Sequence, residues 1–405
     1  MTHMTMQPSR RLFLTLAAGV AVGSLGAPTA FAGRGASTDR RLVVFLLRGG
    51  LDGLAALPAH GDPAYRRARG GLALSPPSEP GGVVDLDGTF GLHPALESWE
   101  PLYKARELLP IHAVATAYRA RSHFDGQDVL ESGAASAQTR RDGWLNRALV
   151  SGGLGTRADA ALALSQVVPL ILRGEAQVGS ATLDARASPP PELLGRLATL
   201  YADDDLFGPA LARGLGSRRA VLTALEGGAE AGPRRGAARA GKVLGRLLAA
   251  SDAPSVAAVE FGGWDTHAGQ GTGQGALARR LRDLASGLLA LRSGLGDVWS
   301  RTVVLVVTEF GRTVVPNGTG GTDHGTGAAA FLAGGAVAGG RVLADWPGVE
   351  PGALHEGRDL RPTLDLRSVC KGVLRDHLGV PSAALERVVF PDSRVASPTS
   401  GLVRS

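Results

Sequence analysis

Apolar runs alternate with segments of mixed character along the chain. "RLVVFLL" (41–47) is continuous and partly β-branched, and it is closed by Gly49-Gly50. "LLPIHAVAT" (108–116), "VVPLILR" (167–173), "SVAAVEF" (255–261), "TVVLVVTEF" (302–310) and "AAAFLAGG" (328–335) have the same look. A strand that is apolar at every position is buried on both faces, as the strands of parallel sheets are. Between these runs the period lengthens. In "GALARRLRDLASGLLALRS", Leu277, Leu281, Leu284, Leu288 and Leu291 line one face of a helix. "PALESWEPLYKAREL" and "LRSVCKGVLRDHLG" follow the same pattern. The alternation predicts an α/β fold with a central, mainly parallel sheet flanked by helices.

Some stretches depart from this pattern. Residues 71–91, rich in Pro and Gly, read as a long loop with a small hairpin. Residues 192–250 read as a helical insertion, either a cap over a site or a solvated helical pair. The polar tail beyond Pro391 reads as loose.

At the N-terminus, "SRRLFLTLAAGVAVGSLGAPTAFAG" joins Arg10-Arg11 to a modest apolar run ending in Ala30-Phe31-Ala32. A twin arginine, a weakly hydrophobic stretch and a small-x-small site resemble a Tat export signal. Residues 1–32 are thus expected to engage the Tat translocase and be removed, leaving 33–405 as one domain, folded before export to the periplasm or exterior. Glycines, Ser24, Pro28 and Thr29 interrupt the run, so no stable membrane anchor is expected. The only cysteine, Cys370, permits no internal disulfide and lies on an apolar helical face.

Composition narrows the function classes. The 405 residues, 44% hydrophobic and 20% charged, can bury a large core. The formal charge of +6 comes almost wholly from arginine, with only Lys104, Lys242 and Lys371 as lysines. With 5% aromatics and no basic tract, nucleic acid is excluded as a partner.

In open α/β sheets, ligands bind beyond the carboxyl ends of the strands. There the sequence places Asp52, then Ser122, His123, Asp125 and Asp128, then Asp265 and His267, then Glu309 and Arg312. Asp323-His324, within "GGTDHGTG", comes just before the run at 328. Mixed carboxylate and imidazole donors suit a divalent metal such as zinc, manganese or calcium. Each residue also has a plainer role. Asp52 could cap the helix it precedes, Ser122 could start one, His267 could bond its own loop, and Glu309 and Arg312 could pair. His93 supports its loop, while His60, His112, His355 and His377 lack an acid-rich context.

Together, "RGGLDGL", "LHPAL", "SHFDGQD", "GGWDTH", "TEFGRT", "GTDHG" and "LRPTLDLRSV" resemble a Tat-exported bacterial family, the domain of unknown function numbered 1501. That family is grouped with the alkaline phosphatase and sulfatase superfamily, and the resemblance runs from about Arg41 to Pro391. It implies an alkaline phosphatase-like fold. It also implies a metal site from Asp52, Asp265, His267, Glu309, Asp323 and His324, with Ser122 as nucleophile activated by the metal or by His123. Arg121 or Arg312 would hold the oxygens of an anionic ester. Glu309-Phe310 stands where the superfamily has Asp-His, and Cys370-Lys-Gly-Val-Leu rules out a formylglycine sulfatase. Two functions follow: an exported metal-dependent hydrolase of phosphate- or sulfate-type esters, or a non-catalytic binding or assembly protein that keeps the fold.

Overall fold

A computed structural model describes residues 39–155, 160–183, 189–226, 236–251 and 253–404. The segment expected to act as an export signal, residues 1–32, lies outside them. The strands are β1 (Arg41–Arg48), β2 (Val84–Asp85), β3 (Gly91–Leu92), β4 (Leu108–Ala115), β5 (Ala161–Leu164), β6 (Val178–Ser180), β7 (Val256–Gly262), β8 (Thr302–Thr308), β9 (Ala328–Ala333) and β10 (Leu364–Asp365). The principal helices are α1 (Gly53–Ala56), α2 (His123–Ser132), α3 (Trp144–Ser151), α4 (Pro191–Leu200), α5 (Phe207–Glu226), α6 (Ala237–Ala249), α7 (Ala276–Leu295) and α8 (Leu366–Leu378).

Eight strands form one sheet in the order β10-β4-β9-β8-β1-β7-β5-β6, and β2 pairs with β3 as the small hairpin. β1 lies between β7 and β8, parallel to both. β5 is parallel to β6 and β7, and β10 is parallel to β4. Among the described strands of the large sheet, only β9 runs against its neighbours, β4 and β8. The protein is therefore a mixed α/β fold with a mainly parallel central sheet flanked by helices.

Period-two geometry divides β1 between two cores. Val43, Phe45 and Leu47 enter the layer shared with the α7 leucines, while Leu42, Val44 and Leu46 enter the layer shared with α3 and α8. Each fully buried side chain of this size contributes about 1.5–3 kcal/mol relative to exposure. α6 packs on α7 through glycines, and a Cβ on Gly241 would lie 2.1 Å from the Gly287 carbonyl oxygen. Even Gly241→Ala would push these two helices apart.

Three expectations are corrected. The run 167–173 is not a strand: Leu170–Leu172 form a 3₁₀ turn that buries Ile171 and Leu172, and the strand lies earlier, at β5. Pro169 has no N–H for a ladder, so apolarity there reflects burial without pairing. In "PALESWEPLYKAREL", Pro94–Trp99 is a 3₁₀ turn and only Glu100–Lys104 is α-helical. The tail is docked: Lys371 Nζ donates to the Ser393 and Ala396 carbonyls, and Leu402 is fully buried. The insertion is helical, as α4, α5 and α6. α4 buries no residue, whereas α6 buries Val243, Leu244 and Leu248. Among the described residues no helix is long and apolar enough to cross a membrane.

Candidate metal centre

β1, β4, β7 and β8 all point their carboxyl ends to one rim of the sheet. Because β9 is antiparallel, the loop entering it reaches that same rim, bringing His324 to residues that follow β4, β7 and β8. Gly49 permits the close approach. It has φ +124, and a Cβ there would lie 2.6 Å from the Asp265 backbone nitrogen.

Three imidazoles converge on the Asp265 carboxylate. His267 Nε2 and His324 Nε2 lie 3.0 and 3.2 Å from its Oδ1, and His123 Nε2 lies 3.4 Å from its Oδ2. His123, Asp265 and His324 each offer a ligand atom within 4.8 Å of the others. The Asp265 side chain is 43% exposed, so the cluster is open to solvent.

Each far ring nitrogen faces an acceptor. His123 Nδ1 lies 2.8 Å from Glu309 Oε1, His324 Nδ1 2.8 Å from the Arg121 carbonyl, and His267 Nδ1 3.3 Å from Asp323 Oδ1. Carbonyls and ionised carboxylates only accept, so a neutral ring protonated at Nδ1 satisfies its outer partner and turns its Nε2 lone pair inward, the form in which it could hold a cation. His267 Nε2 and His324 Nε2 then stand 3.0 Å apart with no proton between them. His123 Nε2 is buried without any hydrogen-bond partner. Lone pairs facing a carboxylate in this way call for a cation, and the donor set fits a divalent metal.

Local charges follow the geometry. The hydrogen bond to Glu309 raises the His123 pKa above its ordinary value. Burial alone would raise Glu309, but hydrogen bonds from His123 and the Gly49 N–H hold its carboxyl below the usual range. Burial also acts to raise Asp265, and the Arg312 guanidinium overcomes it to leave that carboxyl low. Burial lowers His324, with the charges of His123 and Arg312 adding to the effect.

Several expected roles are corrected. Asp52 does not join the cluster: it caps α1 through Ala55 N (3.2 Å), and its other oxygen accepts from Arg69 Nη2 (2.5 Å) and Gln270 Nε2 (2.7 Å). Glu309 stands behind His123 as its acceptor rather than beside it as a ligand, and also accepts from Gly49 N (2.8 Å) and Thr308 Oγ1 (2.9 Å). Asp323 likewise stands behind His267. His123, expected as a catalytic assistant, lies in the cluster itself. Arg312 is fully buried and donates to the Gly50, Gly49, Thr322 and Trp264 carbonyls and to Asp265, so it buttresses the site from below. Arg121 is committed to Asp359 and Glu356. Ser122 precedes α2 without capping it, and its hydroxyl has no hydrogen bond among the described residues. Asp125 and Asp128 take contacts from Tyr118 and Gln138.

Phe310 occupies the place where the resemblance expects a histidine. Its ring stacks on His123 at 4.9 Å between centroids and lies 5.0 Å from His324, so it walls the cluster with hydrocarbon. Sequence reasoning missed Gln127, which donates to Glu309, and Asn317, which donates to Asp323 and the His267 carbonyl. Asn317 also holds its own turn through Thr319 and Gly321, a glycine-flanked pattern the sequence does display. The loop carrying Asp265 and His267 is zipped to the one carrying His324 by Gly269 N to Thr319 O, Gln270 N to Gly320 O and Thr322 N to Thr266 O.

Among solved structures, the chain is similar to a Bacteroides thetaiotaomicron protein described with the metabolism of multiple glycosaminoglycans and labelled 4S-sulf. Identity is 9% and the TM-score 0.38, covering 86% of this chain and 74% of that one. It is also similar to a phosphonate monoester hydrolase of Agrobacterium radiobacter, at 11% identity and TM-score 0.33, covering 84% and 74%. No curated protein matches the sequence. The profile described as "Protein of unknown function (DUF1501)" matches residues 107–389, and the chain belongs to that family.

Proposed function

We propose that this protein is an exported, metal-dependent hydrolase of phosphate- or sulfate-type esters, with its centre at His123, Asp265, His267 and His324. The inward-facing Nε2 atoms around the Asp265 carboxylate carry this reading. An imidazole-rich set favours zinc or manganese over calcium, which takes oxygen ligands. Such an ion, when bound, polarises an ester oxygen and offsets its growing negative charge. The residues supply the rest. Glu309 and the Arg121 carbonyl fix the tautomers of His123 and His324, Arg312 anchors Asp265, and Phe310 keeps water from one face of His123. Ser122, next to His123 with an uncommitted hydroxyl, is the proposed nucleophile. The twin-arginine segment within residues 1–32 supports export through the Tat translocase.

The test uses the full mature chain. Bound metal is measured after zinc or manganese loading, and turnover is assayed on chromogenic phosphate monoesters, diesters and sulfates. Stoichiometric metal and turnover abolished by Asp265→Asn are expected, with turnover also lost in Ser122→Ala. A folded chain that binds neither metal defeats the reading. One observation favours a second function: both arginines expected to hold ester oxygens are committed elsewhere. Metal bound at full occupancy with no turnover across the panel would support a metal-containing, non-catalytic binding or assembly protein.

A further inference from the structure

Arg121 is a non-glycine residue in the left-handed region, with φ +64. L-residues avoid this conformation unless their surroundings impose it, and it clusters at functional sites. Here it aims the Arg121 carbonyl at His324 Nδ1, 2.8 Å away. The Arg121 side chain is gripped by Asp359, whose Oδ2 accepts from Nε at 2.8 Å and lies 2.7 Å from Nη2. Asp359 is fully buried. Its backbone is fixed by reciprocal bonds with His355, and Val314 N donates to the Arg358 carbonyl beside it. Arg358 Nη2 in turn donates to the His324 carbonyl. His324 is thus held at its backbone directly by Arg358 and at its ring nitrogen by Arg121, whose side chain Asp359 of the same 355–359 segment holds.

We infer that Asp359 and Arg121 form a positioning pair: the buried carboxylate holds the arginine, and its strained backbone presents the carbonyl that fixes His324 as the Nδ1–H tautomer with Nε2 toward Asp265. This rests on the metal reading above for its purpose, though not for its geometry. A pair serving only to hold the 355–359 loop would affect stability and leave the His324 ring unconstrained. A positioning pair instead sets which nitrogen carries the proton, and hence the affinity of the centre. Acceptors behind metal-bound histidines of this kind are worth about 10–100-fold in metal affinity.

The experiment compares the wild-type chain with Asp359→Asn and Arg121→Gly. Glycine accepts the positive φ, so Arg121→Gly removes the ion pair without adding backbone strain and remains informative should Asp359→Asn fold poorly. In metal-free protein at a pH where imidazoles are neutral, long-range nitrogen–proton NMR should find His324 as the Nδ1–H form in wild type and as a mixture in Arg121→Gly. Zinc titration against a chromophoric chelator should show affinity lower by about 10–100-fold in both variants, with partial recovery in Arg121→Lys, which restores a cation facing Asp359. An unchanged His324 tautomer in folded Arg121→Gly, or unchanged zinc affinity in both folded variants, overturns the inference. Failure of the wild type to bind zinc would count against the metal reading alone, because the tautomer still decides the role of the pair.

Discussion

The loop that follows β1 leads into two acid–base networks, built alike and finished differently. In one, the Asp52 carboxylate is enclosed: one oxygen caps α1 and the other accepts from Arg69 and Gln270. The Gln270 carbonyl oxygen is covered by Thr266 and Thr322, and Arg69 goes on to the Thr313 and Val314 carbonyls, leaving only its Nε unpartnered. In the other, Asp265 has one buried arginine and three imidazole nitrogens, which bring lone pairs instead of protons when the rings are protonated at Nδ1. Both contain an aspartate held by arginine. What separates a structural knot from a chemical centre is the balance of donors and acceptors around the carboxylate. The knot has donors for both oxygens; the cage has an excess of acceptors.

The largest expected effect lies in the knot. Asp52→Ala leaves the Arg69 guanidinium buried without its charge partner, a change that costs about 3–5 kcal/mol. Asp265→Asn should cost well under half as much, because Arg312 keeps its four carbonyl acceptors. Urea unfolding of both variants measures the difference, and equal losses would erase the distinction. The cage should respond in the opposite sense when metal affinity is read. Asp265→Asn is expected to weaken zinc by roughly 100-fold or more, against a few-fold at most for Asp52→Asn, in the same chelator competition. Glu309→Gln comes next, at about 10-fold, because it leaves an amide where the His123 proton needs a carboxylate.

A separate effect appears on acidification and concerns histidines outside both networks. Burial pushes His93, His112 and His377 down from the ordinary 6.5 to about 4. Unfolded, these rings take up protons below about 6.5, whereas folded they stay neutral until about 4. Their stability contribution is therefore complete above about pH 6.5 and is lost as pH falls toward 4, on the order of 1–3 kcal/mol per ring. Thermal melts of the metal-free protein between pH 7.5 and 4.5 should show that decline. A flat profile would mean these rings are not held neutral.

Strands buried on both faces were legible in the sequence, because β1, β4, β7 and β8 have no polar side to obscure them. β5 was not: "ALAL" lacks β-branched residues, and the more apolar stretch after it is a turn. Within the site, the neighbourhood was readable because strand ends put Asp265, His267, His123 and His324 at one rim. The roles were not, because they depend on partners far along the chain. Asp52 is claimed by Gln270, 218 residues away, and Arg121 by Asp359, 238 away. One sequence records which residues follow a strand, but not which donor reaches them first.

The zipped pair of loops at the rim carries a further implication for motion. Because Gly269, Gln270 and Thr322 tie the segment around His267 to the segment around His324, neither can peel away alone without breaking hydrogen bonds to the other. Opening should be a single cooperative event, and an ion gripping both arms would slow it for both. Amide exchange at Gly269, Gln270 and Thr322 is expected to slow together on adding zinc. Exchange that slows in one loop and not in its partner would show two independent flaps.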